Sequence, residues 1–296
     1  MDTGSSEHPA RLRVGVVGPG RAGAALACAL ARAGHVITAT SAVSHRSRQR
    51  AREYFPDAEI TDPATVCGRA DLVLLTVPDD ELPALVSGLA STGAPVHGRL
   101  LAHASGAYGI SILEPATRKG ALPLALHPVM TFTGRDDDVD RIKGVCFGVT
   151  APDPIRPAAE ALVIEMGGEP VFIPEENRAL YHAALAFAAN YLVTLTTQAA
   201  DLLKQAGADS PNRMLAPLLS AALDNALRFG DCGLTGPVAR GDDGTVAAHV
   251  KAIEDADPRA KNAYLTLARL TADRAMAAGL LRAEDAERLL DALGDQ

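Results

Sequence analysis

A chain of 296 residues, 48% hydrophobic and 22% charged, is long enough for two ordinary domains and too apolar to be disordered over its bulk. Its formal net charge of −8 excludes broad binding to nucleic acid or anionic membrane, which needs a basic surface, but leaves room for a local basic pocket holding one small anion. Cys28, Cys67, Cys146 and Cys232 show no C-x-x-C spacing, so neither a disulfide frame nor a metal site is expected, and the four read as reduced core residues.

Residues 1–11 are polar with no apolar core, which predicts a frayed leader rather than a signal peptide, and hence a cytoplasmic protein. From 11 to 174, short β-branched or apolar runs (14–17, 36–43, 72–77, 100–103, 122–127, 145–149 and 170–173) alternate with alanine-rich helical stretches such as 21–33, 80–89 and 154–166. That alternation is the signature of βαβ units and predicts an α/β domain with a parallel sheet. After Pro174 the strand runs stop. Helices are expected over 175–205, ended by Gly207, from Ser210-Pro211 to Gly230, from near Asp243, over 259–278 and over 282–293, so residues 175–296 form an all-α second domain. The apolar stretch 179–203 has the length of a membrane span, yet it contains His182, Asn190, Gln198 and Asp201. Lipid would penalise those groups, so a buried helix is expected instead.

The strand 13–17 runs directly into Gly18-Pro19-Gly20-Arg21-Ala22-Gly23, which opens the helix after it. A G-x-G-x-x-G is a weak signal alone; between a strand and a helix it acquires a mechanism. Gly18 permits the tight turn, Gly20 lets backbone approach a pyrophosphate, and Gly23 lets the helix pack close on the sheet. The phosphates would sit on the helix N-terminus, with Arg21 offsetting the donor lost at Pro19. NAD-binding versions place an acid about 20 residues on to accept from the ribose hydroxyls. There is no Asp or Glu from Ala24 to Arg52, and Ser44, His45, Arg46 and Ser47 stand in its place. Hydroxyl and guanidinium groups suit a 2′-phosphate, which predicts NADP(H) over NAD.

Ligands in such sheets lie beyond the carboxyl ends of the strands. Val77 and Pro78 would border the ribose and nicotinamide there. Ser105, in His103-Ala-Ser-Gly106, and His127, before Pro128, follow at the next strand ends. The helical half contributes Tyr181-His182, Asn190 and the loop 234–242 with Arg240. Each has a plain structural alternative: a satisfied core histidine, a helix–helix hydrogen bond at Asn190, an ion pair of Arg240 with Asp242, and Asp242 as a helix cap. The run Asp136-Asp137-Asp138 lacks the spacing of a calcium loop and reads as a solvated turn.

On Gly18-Pro-Gly-Arg-Ala-Gly23, His103-Ala-Ser-Gly106, His127-Pro128, Ala179-Leu-Tyr-His-Ala-Ala184 with Asn190, and Leu234-Thr-Gly-Pro-Val-Ala-Arg-Gly-Asp242, the chain resembles the Rossmann-like and DUF2520 oxidoreductase family. More distantly it is similar to the 6-phosphogluconate dehydrogenase-like superfamily, which includes ketopantoate reductase, pyrroline-5-carboxylate reductase and F420-dependent NADP reductase. The resemblance implies a Rossmann domain followed by a 6-phosphogluconate dehydrogenase-like helical domain that pairs into a homodimer. It further implies hydride transfer from NADPH to a small 2-oxo acid such as ketopantoate. Arg240 would hold the carboxylate, Asn190 and Ser105 would position the carbonyl, and a histidine, His127 or His182, would donate the proton. The superfamily's lysine donor is missing: no lysine occurs from Gly144 to Leu203, and Arg178 near the helix start stays protonated and is a poor acid. An imine substrate, hydride exchange with a deazaflavin, and a non-catalytic NADP(H)-responsive module are the alternatives.

Overall fold

A computed structural model describes residues 11–294; the expected leader, except Arg11, lies outside them. By contacts the chain divides into two compact units, Met1–Ala186 and Phe187–Gln296. The first contains β1 (Arg13–Val17), α1 (Arg21–Arg32), β2 (Val36–Ser41), α2 (His45–Tyr54), β3 (Glu59–Ile60), α3 (Pro63–Arg69), β4 (Leu72–Leu75), α4 (Leu82–Ser91), β5 (Leu100–His103), α5 (Glu114–Thr117), β6 (Leu122–Pro128), α6 (Asp138–Arg141), β7 (Cys146–Thr150), α7 (Arg156–Glu165), β8 (Glu169–Phe172) and the opening turns of α8 (Arg178–Gln205).

The eight strands form one sheet in the order β3-β2-β1-β4-β5-β6-β7-β8. Both faces are covered, which is why the central strands read as continuous apolar runs. Val14, Val16, Leu72 and Leu74 join Leu26, Leu30, Leu162 and Val163 of α1 and α7 on one face. Val17, Val73 and Leu75 join Val66, Leu82 and Val86 of α3 and α4 on the other. Side chains as fully buried as Leu30, Leu72 and Leu124 stabilise the fold by roughly 1.5–3 kcal/mol each. Side-chain caps start two of the helices: Ser44 accepts from Ser47 N–H before α2, and Asp62 accepts from Thr65 N–H before α3.

Three features differ from the sequence reading. The sheet is not wholly parallel: β6 and β7 run antiparallel, because residues 129–145 return by a loop with one helical turn instead of a full crossover. Asp138 is no solvated turn residue. It is buried, and it accepts from the N–H groups of Thr133 and Gly134 at 3.1 and 2.7 Å, which fixes the loop after β6. Of the cysteines, Cys67 is core, whereas Cys146 and Cys232 are exposed. By contacts the first unit runs to Ala186, since the opening turns of α8 are tied into the sheet, Arg178 bonding to Ala125 O, Gly148 O and Thr150.

The second unit holds the rest of α8, then α9 (Pro211–Phe229), α10 (Asp243–Ala256), α11 (Pro258–Ala277) and α12 (Ala283–Leu293). Val246, Leu265, Ala272, Leu281 and Leu289 form its core. Asp242 caps α10 through Thr245 N–H, and Asp257 caps α11 through Arg259 N–H with Pro258 in its first turn. The expected burial of α8 is not met within the chain: Phe187, Tyr191, Leu192, Val193 and Leu195 are exposed, as are Met214, Leu218, Leu223, Leu227 and Phe229 of α9. Among the described helices, the stretch Glu175–Gln205 is long and apolar enough to cross a membrane. Its His182, Asn190, Gln198 and Asp201 oppose that.

Candidate functional site

A cleft of about 660 Å³ opens at the carboxyl ends of β1, β2 and β4, lined by Gly18, Gly20, Ser41, Ser44, Ser47, Thr76, Val77 and Pro78 among others. Gly18 sits at φ +85°, and a Cβ there would meet Val77 at 2.9 Å, so the turn requires glycine. A Cβ at Gly23 would run into the Thr76 side chain and the Gly18 carbonyl, which is the close helix–sheet approach the motif implies. At Gly20 the nearest atom to an added Cβ is Gly18 O at 3.8 Å. The space above that glycine is open, and α1 starts there with no side-chain cap, leaving its first N–H groups free for an anion. These residues fit a dinucleotide pyrophosphate.

The other expected cofactor residues divide. Pro19 is buried and Ala22 half-buried behind the turn. Arg21 points elsewhere: its stem packs on Gly134, beside the guanidinium of Arg50. Ser44 and Ser47 line the cleft and bond to each other, Oγ to Oγ at 2.9 Å. His45 and Arg46 are exposed on the first turn of α2, outside the lining. Arg48 donates from Nε to Ala42 O at 3.0 Å.

Because β1, β4, β5 and β6 are parallel neighbours, the ends of β5 and β6 lie on the same sheet edge as the cleft. His103 at the end of β5 is structural. Its Nδ1 accepts from Ser105 N–H at 3.2 Å, which leaves Nε2 to donate to Gly109 O at 2.8 Å. Burial lowers its pKa to about 4. Ser105 is buried too and accepts from Tyr108 N–H at 3.3 Å. The loop that follows is fastened by Glu175, whose carboxylate accepts from Ile110 N–H at 2.7 Å and Ser111 N–H at 3.0 Å.

The centre of the cluster is His127. Its Nδ1 lies 2.8 Å from Tyr181 Oη, and its ring meets Tyr181 and His182 edge-on, with centroids 5.6 and 6.2 Å away. A Cβ at Gly106 would meet His182 Cδ2 at 2.7 Å and His127 Nε2 at 2.9 Å, so both imidazoles converge on a glycine that only backbone can occupy. Burial, with the charge of Arg178 and the neighbouring histidines, pushes the His127 pKa down to about 4. His127 is therefore neutral at pH 7. Burial raises the Tyr181 phenol, against the opposing charge of Arg178, so it stays protonated.

His127, His182 and Ser105 thus come together in the first unit, while Asn190 and Arg240 belong to the second. The Asn190 side chain is exposed. Arg240 is exposed and donates to Thr235 O rather than pairing with Asp242, which serves as the cap of α10. Sequence reading gave no role to two residues of the cluster, Tyr181 and Arg178. The signal was present: Glu175, Arg178, Tyr181 and His182 follow a helical i, i+3, i+6, i+7 spacing, a polar face on an apolar helix.

A family model described as a Rossmann-like domain matches residues 1–128, and one described as a domain of unknown function, DUF2520, matches residues 145–271. No curated protein matches the sequence. Among solved structures the chain is similar to a candidate NADP oxidoreductase from Bacteroides fragilis, at 23% identity over 89% of this chain and 98% of that one, with a TM-score of 0.69. A Thermotoga maritima protein gives 22% identity over 90% and 99%, also with a TM-score of 0.69. An imine reductase from Pseudomonas sp. gives 19% identity over 96% and 100%, with a TM-score of 0.62. These likenesses establish a shared fold.

Proposed function

We propose that this chain, a Rossmann-like domain followed by a DUF2520 domain, is an NADP(H)-dependent oxidoreductase that reduces a carbon–oxygen or carbon–nitrogen double bond in a small molecule. The observation that carries the reading is one sheet edge bearing two things: a glycine-lined cleft fitted to a pyrophosphate, and the Tyr181–His127 pair at 2.8 Å. The cleft would be held to the dinucleotide by the first N–H groups of α1 and by the open face of Gly20, with Val77 and Pro78 along its wall. Ser44, Ser47 and the start of α2 would take the 2′-phosphate, since no acid stands at the end of β2 to accept from the ribose.

The nicotinamide supplies hydride when bound. What the chain itself must do is deliver one proton to the heteroatom. Tyr181 is suited to this, because its hydroxyl is protonated at neutral pH and half-buried, and it sits against a neutral imidazole. With Nδ1 protonated, His127 donates to Tyr181 Oη. As Tyr181 gives its proton to the substrate, His127 replaces it from Nδ1 and takes one from solvent at Nε2, so the ring remains neutral throughout. His182 borders this path, and Ser105 and His103 hold the loop against which it runs.

Nicotinamide absorbance followed with purified protein, NADPH and either ketopantoate or pyrroline-5-carboxylate tests the reading and separates the substrate classes. Turnover is expected on one of the two, lowered about 100-fold by Tyr181→Phe with NADPH binding intact. Tight NADPH binding without turnover on either substrate, or full activity in Tyr181→Phe, favours the non-catalytic module instead.

The exposed apolar face of α8 and α9 supports a homodimer as the working form. An uncovered patch of that composition marks an interface, and the polar residues along α8 argue against lipid as its cover.

A further inference from the structure

Arg178 is buried at 2% exposure, and its guanidinium is held by neutral oxygens alone. Nε donates to Thr150 Oγ1 at 2.8 Å, and Nη2 donates to Gly148 O at 3.0 Å and Ala125 O at 3.2 Å. Nη1 is buried without a hydrogen-bond partner. Among the described residues no carboxylate forms an ion pair with it. The acid whose charge reaches it, Glu175, spends its oxygens on Ile110 and Ser111. Glu175 acts on the guanidinium only through space; a buried cation with no carboxylate in contact is costly, and apolar side chains of similar size would hold β6 to β7 at lower cost. A structural role alone therefore does not account for a guanidinium here.

The charge is aimed at the reacting pair. The Arg178 Cζ lies 5.6 Å from the centre of the Tyr181 ring, one helical turn along α8. The Tyr181 hydroxyl fills the space that a Cβ on Gly148 would take, and Gly148 O is one of the acceptors that fix Arg178. We propose that Arg178 is the positioning residue of the Tyr181–His127 pair: its buried, rigidly held guanidinium supplies the positive charge that stabilises the negative charge developing on the Tyr181 oxygen as its proton passes to the substrate and before His127 restores it. This rests on the reading of Tyr181 as proton donor.

Among the described residues, the groups acting on the pair are Arg178 and His182 on α8, His103 at the end of β5 and Cys146 on β7, while Glu175 acts on Arg178 and His103. Arg178 favours the phenolate and disfavours protonation of His127, which keeps the ring able to hand a proton over in its neutral form.

Titration of Tyr181 by NMR of ring-labelled tyrosine, identified by its loss in Tyr181→Phe, tests the proposal without requiring turnover. Arg178→Gln keeps an N–H donor for the strand carbonyls and removes the charge. It is expected to raise the Tyr181 midpoint by about one unit or more and to raise that of His127 as well. In turnover, kcat falls about tenfold or more at unchanged KM, and the alkaline limb of the pH profile moves up with the phenol. Arg178→Lys, which keeps a cation, should stay within about half a unit of the wild type. A midpoint in folded Arg178→Gln equal to that of the wild type overturns the proposal. If only Arg178→Lys folds, a rise above about one unit in that variant overturns it instead. Absence of turnover with the midpoint shift present would fall on the proposed reaction and not on this coupling.

Discussion

The two units of this chain differ in how they satisfy their apolar surface. In the first, every central strand is covered on both faces by helices of the same unit. In the second, α10, α11 and α12 close around Val246, Leu265 and Leu289, while α8 and α9 leave ten large apolar side chains from Phe187 to Phe229 in the open. A doubly covered sheet is complete as a fold and places its ligands by strand ends alone. In the second unit the large apolar side chains of α8 and α9 stay exposed, and Asn190 lies exposed among them on α8.

The sharpest way to break this contrast is a pair of glycine substitutions. Gly23→Val drives a side chain into Thr76 and the Gly18 carbonyl. It should abolish NADPH binding, by about 100-fold or more in a fluorescence titration. Gly244→Ala, in the first turn of α10 with nothing within 4 Å of its added Cβ, should leave binding intact and stabilise the protein by about 0.5–1 kcal/mol. Equal, mild effects at both sites would mean that the first unit is no more tightly built than the second.

The bare face gives the next largest effect. Wild-type protein is expected to run as a dimer in light scattering. Phe187→Asp with Leu227→Asp, both exposed in the single chain, should yield a monomer that unfolds at lower temperature. A monomeric wild type of undiminished stability would remove the partner from the account of α8 and α9.

A third difference is acid sensitivity. His103 and His127 are held neutral in the first unit with pKa values lowered to about 4. The unfolded chain binds protons on both near pH 6.5, so it binds more of them than the native state between pH 6.5 and 4. Stability is therefore fully present above about pH 6.5 and is lost as pH falls toward 4, by up to roughly 3 kcal/mol per ring. Urea midpoints across that range measure it, and His103→Gln should remove about half the slope. A flat profile would show that neither ring is buried neutral.

How much of this was legible in the sequence follows the same division. The glycine turn, the strands other than β3, the second domain's helices and the cap at Asp242 are local patterns with local causes, and they are readable within a few residues. The strand β3 has two residues and no period to detect. The reversal of β7 depends on the path of residues 129–145, which local propensity does not encode. In the cluster, His127, His182 and Ser105 could be singled out by their places at strand ends and on α8. Tyr181 and Arg178 could not be given roles, because a phenol and a guanidinium on an apolar helix acquire them only from what lies opposite: Gly148, whose missing side chain admits the hydroxyl, and Thr150, which receives Nε. The exposure of α8 was missed for a related reason, since an apolar helix reads the same whether its cover is its own chain or another.

The smallest expected effect concerns α2, where the proposed preference for NADP(H) would rest on side chains rather than backbone. Arg46 is exposed on its first turn and forms no ion pair among the described residues, so its charge is not committed elsewhere. Beside it, Ser44 and Ser47 line the cleft but bond mainly to one another. A 2′-phosphate would draw on both sets: hydroxyls and N–H groups at the helix start, and the guanidinium as a partner reaching in from solvent. An exposed charge contributes modestly because water and salt screen it. Arg46→Ala should therefore weaken NADPH by about tenfold at low salt and leave NADH unchanged, with the gap narrowing as salt is raised. Equal losses for the two nucleotides would place Arg46 on the part they share and move the discrimination to Ser44 and Ser47.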